Sequence, residues 1–239
     1  MRIRPECTSV SSALGATRAT VLSVKRRLPV IAAILGLALV GVLPDAAGAG
    51  GATDELRPAI DKVLRILDDP ALRGEANTRE RRAALRVVMQ GAIDFPEAAR
   101  RALALHWRAR TEAEREELVG LFKDLVIHSY IRLMEPYAGE TVQIVGEVPT
   151  NGTTTVLTRI HRRQGEPIPV DYRMHVLATR WLIYDVVVEG VSLVANYRGQ
   201  FNSIIQTSSY EELVRRLRAR VATLNEAPVA GIKPAPPHG

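Results

Sequence analysis

The chain has 239 residues, of which 46% are hydrophobic and 24% charged, and its formal net charge is +6. This balance excludes an intrinsically disordered chain and is enough for one sizeable domain or two small ones.

The first 49 residues have the order of a secretory signal peptide. Basic residues at 25–27 precede an apolar run over 28–43, and small residues follow at 47–49. We therefore expect residues 1–49 to be a signal peptide that is cleaved after Ala49, so that the protein is exported. An uncleaved membrane anchor is the alternative. It is disfavoured because the run contains Pro29 and is shorter than the roughly 20 residues of a comfortable membrane span.

Removal of this segment changes what the charge and the cysteine content imply. Residues 1–49 carry six basic and two acidic side chains, so the exported part has a net charge of only +2. We therefore exclude nucleic acid as a partner, because the basic character that would support it is largely lost. Cys7 is the only cysteine. The exported part is thus expected to have no disulfide and no cysteine ligand.

The chain between residues 53 and 135 has helical periodicity throughout. Two amphipathic helices are predicted before Asp94, which has the pattern of an N-cap because a proline and an acid follow it. Thr111 starts a capping box at the beginning of the longest helix, whose apolar stripe ends near Glu135.

From Thr141 onward the apolar period changes to two, as in strands. Strands are predicted over 141–148, 156–161, 170–177 and 181–188, and the short turns between them favour a four-stranded antiparallel meander. Alternation then places one apolar set on an inner face that helices should cover. This set includes Val142, Ile144, Val156, Tyr172, Met174, Val176, Leu182, Tyr184, Val186 and Val188.

Two more helices are predicted after the strands. Ser192 is the expected N-cap of the first, and a capping box at Ser208 begins the second. Residues 227–239 contain four prolines and no periodicity, which predicts a disordered tail. The predicted architecture is an α+β domain over residues 50–226, with N-terminal helices packed on a four-stranded antiparallel sheet that C-terminal helices follow.

No motif of an enzyme site or a metal site is recognisable after residue 49, and the five histidines are scattered, so we expect no metal and no cofactor. Asp185 stands in mid-strand, where a buried carboxylate can become a general base. Alternation points it away from the inner face, which favours an ion pair with Arg173 or Arg198. The alternative is a pocket enzyme like the NTF2-like isomerases, with Asp185 or Asp94 as the base.

The aromatic side chains leave a further question open. A solid core and the lining of a lipid cavity have the same apolar composition, so periodicity cannot distinguish them. An adaptor protein with a solid interior is therefore a third possibility.

One stretch after the third predicted strand has a specific pattern. It reads Trp181-x-x-Tyr184-Asp185-x-x-x-Glu189-Gly190-Val191-Ser192-Leu193-Val194-x-Asn196-Tyr197-Arg198-x-Gln200-Phe201. This pattern resembles the signature of the MlaC family, which are periplasmic phospholipid-binding proteins, also called toluene-tolerance auxiliary components. Further agreement comes from Asp94-Phe95, Trp107-Arg108-x-x-Thr111, the helix from Phe122 to Tyr130, and residues 169–173. The chain departs from the family at Leu103-Ala104, where a Leu-Gly pair is usual.

The resemblance implies a non-enzymatic lipid carrier in the periplasm, whose sheet and helices enclose an apolar cavity for phospholipid acyl chains. Such a carrier shuttles lipid between an outer-membrane MlaA-like lipoprotein complex and the inner-membrane MlaD-like ring of an ABC transporter, which maintains lipid asymmetry. A related branch, HpnM, is associated with hopanoid production, so a hopanoid-type lipid is the alternative ligand. Besides the inner-face set above, the expected lipid-binding residues are Phe122, Leu125, Val126, Tyr197 and Phe201.

Overall fold

The computed structural model describes residues 51–226, and the predicted signal peptide and tail lie outside this range. The described part forms six α-helices and one five-stranded antiparallel sheet. The helices are α1 (Ala52–Asp68), α2 (Thr78–Ala92), α3 (Phe95–Leu103), α4 (Glu112–Met134), α5 (Leu193–Thr207) and α6 (Tyr210–Glu226). The strands are β1 (Thr141–Thr150), β2 (Thr153–His161), β3 (Ile168–Leu177), β4 (Arg180–Val188) and β5 (Val191–Ser192).

Three of the six helices begin at the predicted capping residues Asp94, Thr111 and Ser192. Asp94 Oδ1 accepts a hydrogen bond from the Glu97 N–H at 2.9 Å, and both bonds of the Thr111 capping box are present. These bonds satisfy N–H groups that have no partner within the first turn. The last helix differs from the prediction, because Ser209 rather than Ser208 accepts the capping bond.

The sheet is a meander in the order β1-β2-β3-β4-β5. The prediction has four strands, and the fifth is the two-residue strand β5, which turns back on β4. Glu189 and Gly190 make this turn with φ values of +50° and +82°. Two successive positive φ values are typical of a tight hairpin, and glycine favours such a conformation. The hairpin directs the chain from β4 straight into α5.

A β-bulge in β4 overturns part of the predicted inner face. Arg173 pairs with Asp185 but Met174 pairs with Ile183, so Tyr184 is the extra residue. A bulge reverses the alternation of side chains beyond it. Ile183 therefore shares the face of Met174, whereas Leu182 and Tyr184 lie on the opposite face. The prediction that Leu182, Tyr184, Val186 and Val188 share one face is wrong for the first two.

The apolar side chains form two cores. The larger lies among the helices, and the smaller lies between the first half of α1 and one face of the sheet. Helix α1 contributes to both, with Leu56 in the smaller and Leu67 in the larger. Removal of this apolar surface from water is the main favourable term that holds the layers together. The smaller core contains Ala52, Leu56, Val156, Met174 and Ile183 as its buried members.

Candidate functional site

A cavity of about 330 Å³ lies between α1, α2 and the β3–β4 part of the sheet. Its volume is at the lower end of the range that small-molecule pockets occupy. The cavity adjoins the smaller core. Its lining consists of Glu55, Leu56, Pro58, Ala59, Lys62, Val87, Val88, Gly91, Ala92, Met174, Arg180, Trp181 and Ile183.

Small residues on the two helices leave this space open. A Cβ atom added to Gly91 would meet no heavy atom within 4 Å, and the ring of Pro58 adds little bulk to α1. On the opposite side, Met174 and Ile183 are buried and Trp181 is half-buried. The walls are thus mostly apolar, which suits a hydrocarbon ligand.

Three charged side chains lie at the mouth of the cavity. Arg180 Nη2 is 3.2 Å from Glu55 Oε2, and the Arg180 side chain is 58% exposed. Lys62 follows Glu55 by about two turns of α1 and is also exposed. The cavity therefore combines an apolar interior with a charged rim at its mouth, which is open to solvent.

Asp185 connects β4 to α5 and does not line the cavity. Its carboxylate is only 3% exposed and accepts hydrogen bonds from the Ser192 hydroxyl at 2.6 Å and the Val194 N–H at 3.0 Å. Arg173 Nη1 donates a third bond at 3.0 Å, which confirms the predicted ion pair. With three donors, this carboxylate stabilises the entry into α5 and has the contacts of a structural group.

Asp94 is likewise engaged in structural contacts. Its Oδ2 atom lies 2.9 Å from His175 Nε2, while Oδ1 caps α3. The His175 ring packs edge-on against Tyr184, and the Arg101 guanidinium lies 3.9 Å above the centre of the Tyr184 ring. Neither Asp94 nor Asp185 contributes to the cavity lining. The carboxylate that does so is Glu55, at the mouth and ion-paired.

Sequence similarity over most of the described residues, and not these contacts alone, decides the family. The sequence profile described as MlaC protein matches residues 57–219.

The chain belongs to the MlaC family.

A solved structure supports the fold of this family member. The phospholipid-binding protein from Ralstonia solanacearum, in complex with a phospholipid, is similar with a TM-score of 0.66 and 25% sequence identity. The similarity covers 74% of this chain and 100% of that chain. The predicted α+β class is confirmed, with five strands in place of four.

The residues expected to bind lipid in this MlaC chain fall into four groups. In the first, Met174 lines the cavity, and Ile144, Val156, Tyr172 and Val186 lie in the adjoining smaller core. Burial raises the pKa of the Tyr172 hydroxyl to about 12.

The other three groups lie away from the cavity lining. Val142, Val176 and Val188 are on the same face of the sheet as the smaller core, with Val176 exposed. The bulge turns Leu182 and Tyr184 to the opposite face. The last group lies in the larger core and consists of Phe122, Leu125, Val126, Tyr197 and Phe201.

The aromatic residues of the larger core pack on one another. The Phe122 ring lies edge-on to Tyr197 and Phe201, with centroid distances of 5.1 and 5.9 Å. Phe122 and Phe201 are buried, so the three rings fill the space between α4 and α5. A role for them in lipid binding stays a prediction.

The cavity lining on α1 and α2 is absent from the predicted site of the MlaC chain. Periodicity predicts two amphipathic helices before Asp94, but it does not indicate that they leave a gap against the sheet. A mid-helix proline at Pro58 and a glycine at Gly91 are the available signals, since both reduce side-chain bulk. Trp181 and Ile183 are missed because the bulge has no counterpart in the hydrophobic pattern.

Residues 51–226 lack two further kinds of feature. No group of three or more histidine, cysteine, aspartate or glutamate side chains in this range is placed to hold a metal ion. No helix within the same range is long and apolar enough to cross a membrane.

Proposed function

We propose that the protein is a phospholipid carrier. It holds part of the acyl chains of the lipid in the cavity between α1, α2 and the β3–β4 part of the sheet. Membership of the MlaC family supports this function, as does the similarity to a phospholipid-binding protein. The single observation that carries the placement is the apolar cavity with a charged, solvent-facing rim.

The energetics of such a site need no cofactor and no chemical step. Each methylene group that leaves water contributes about 0.8 kcal/mol, so ten buried methylenes contribute about 8 kcal/mol. The cavity of about 330 Å³ is small for a whole phospholipid. We therefore propose that it holds part of the acyl chains and that the headgroup stays outside.

The biological role that we propose follows the family. Residues 1–49 direct export to the periplasm, where the carrier moves lipid between an MlaA-like outer-membrane complex and an MlaD-like ring of an inner-membrane ABC transporter. This transfer maintains lipid asymmetry, and the carrier itself has no enzymatic activity. A hopanoid-type lipid is the competing cargo.

Native mass spectrometry of protein purified from the periplasm tests the carrier function. The wild-type protein should retain phospholipid, and Gly91→Leu should lose most of it, because the new side chain enters the open space of the cavity. Gly199→Leu is the matched control, since Gly199 is also an exposed helical glycine without a heavy atom within 4 Å of an added Cβ. Recovery of lipid-free wild-type protein that takes up no lipid from vesicles would refute the proposal. Recovery of a hopanoid would show that the cargo is a hopanoid and not a phospholipid.

A further inference from the structure

The charges at the cavity mouth are arranged around one arginine. Arg180 makes one contact with Glu55, through Nη2, and its side chain is 58% exposed. Most of this side chain is therefore accessible to solvent. Lys62 makes no ion pair within residues 51–226. Together with Glu55 the three side chains leave a net charge of +1 at the mouth.

This arrangement suits an anion that carries two or more acceptor oxygens. A guanidinium group binds phosphate through parallel N–H donors, and an ammonium group adds a point charge. The contact with Glu55 is an exposed ion pair, and such pairs contribute about 1 kcal/mol or less. A phosphate can thus replace Glu55 as the partner of Arg180 at little cost.

The arginines of α6 are engaged and lie away from the cavity. Arg215 and Arg216 both donate to Glu212, and Arg218 donates to Glu117 on α4. Helix α6 contributes nothing to the cavity lining. Arg180 and Lys62 differ because they border an apolar space.

We propose that Arg180 and Lys62 form the subsite for the phosphodiester of the lipid headgroup. When no lipid is bound, Arg180 forms its ion pair with Glu55 instead. The inference rests on the proposed function, because acyl chains in the cavity are what bring a phosphate to this mouth. It assigns the contact with the headgroup to two residues and disfavours lipids whose headgroup has no charge, including polyol hopanoids.

The test compares two lipids that have the same acyl chains. Wild-type protein and the double variant Arg180→Gln/Lys62→Gln are incubated with vesicles that contain phosphatidylglycerol or diacylglycerol, and the lipid bound to re-isolated protein is measured. We expect the double variant to bind phosphatidylglycerol about tenfold less, as the loss of charged hydrogen bonds implies. Its binding of diacylglycerol should be unchanged.

Arg57→Gln/Arg79→Gln is the matched control, because it removes two exposed positive charges that do not line the cavity. This control should bind both lipids as the wild type does. Equal loss of both lipids in Arg180→Gln/Lys62→Gln, or unchanged binding of phosphatidylglycerol, overturns the subsite. Failure of the wild type to bind either lipid overturns the carrier function itself.

Two further measurements test competition at the subsite and the role of Glu55. Inorganic phosphate, with ionic strength held constant, should weaken the binding of phosphatidylglycerol to the wild type more than to Arg180→Gln/Lys62→Gln, because it competes for the same donors. Equal effects on the two proteins would contradict a headgroup subsite. Glu55→Gln frees Arg180 and should increase phosphatidylglycerol binding severalfold. Binding no tighter than that of the wild type would show that Glu55 does not compete for Arg180.

Discussion

Asp185 Oδ1 accepts a hydrogen bond from the Val194 N–H at 3.0 Å and thereby fastens β4 to the first turn of α5. The bond connects two parts of the sequence pattern that defines the family. It explains Asp185 and Val194 as requirements of the fold, because both residues are buried and neither lines the cavity.

Substitution Asp185→Ala should lower the free energy of unfolding by about 3 kcal/mol, since it leaves buried donors without a partner. Arg173→Ala is the control. It removes a partner that is 43% exposed while the bonds from Ser192 and Val194 remain, so it should cost less than Asp185→Ala does. Urea unfolding measures both. Equal losses for the two variants would show that the ion pair, and not the connection to α5, carries the stabilisation.

Ala104 has a backbone conformation that glycine prefers, with φ +50° and ψ −117°. The position is the one where the MlaC pattern usually has glycine. Ala104→Gly should therefore stabilise the protein by about 1 kcal/mol, because it relieves backbone strain. Thermal unfolding measures the change.

The comparison for Ala104 is Ala83→Gly in the exposed part of α2. It should destabilise the protein by about 1 kcal/mol, since glycine weakens a helix interior. A loss of stability in both variants would mean that the backbone at residue 104 is not strained.

His128 should make the protein less stable in acid. Burial and the neighbouring Arg86 guanidinium lower the pKa of His128, although Asp124 opposes the shift and Arg82 adds to it. The unfolded chain then binds a proton at a higher pH than the folded protein does. Stability is therefore full above a pH of about 6.5 and is lost as the pH falls from there toward the lower pKa of the folded state.

Urea unfolding of wild-type protein and His128→Gln at about pH 7.5 and about pH 5.5 tests this effect. The wild type should lose more stability between the two values than the variant does. Identical losses would assign the acid sensitivity to other groups.

The element types follow well from the sequence. The strands at Thr141 and Val170, and the caps at Asp94 and Ser192, lie where local chemistry predicts them. These features depend on residues close together in the chain, which is why a pattern of two or 3.6 residues reveals them.

The site was harder to predict because it depends on contacts between distant segments. A single extra residue at Tyr184 exchanges the two faces of β4, and the run of apolar residues around it looks the same with or without the bulge. The gap between α1, α2 and the sheet comes from how the elements pack. Phe122 and Phe201 are expected lipid-binding residues, and they lie in the larger core. Their role in lipid binding stays a prediction.

The position of the acyl chain is the central claim, and photo-crosslinking locates it directly. Wild-type protein is loaded with a phospholipid that carries a diazirine in one acyl chain, irradiated and digested, and the labelled peptides are identified by mass spectrometry. We expect label on the segments that contain Leu56, Met174 and Ile183, which border the cavity. Label confined to the segments that contain Phe122 and Phe201 would contradict this account and place the lipid in the larger core.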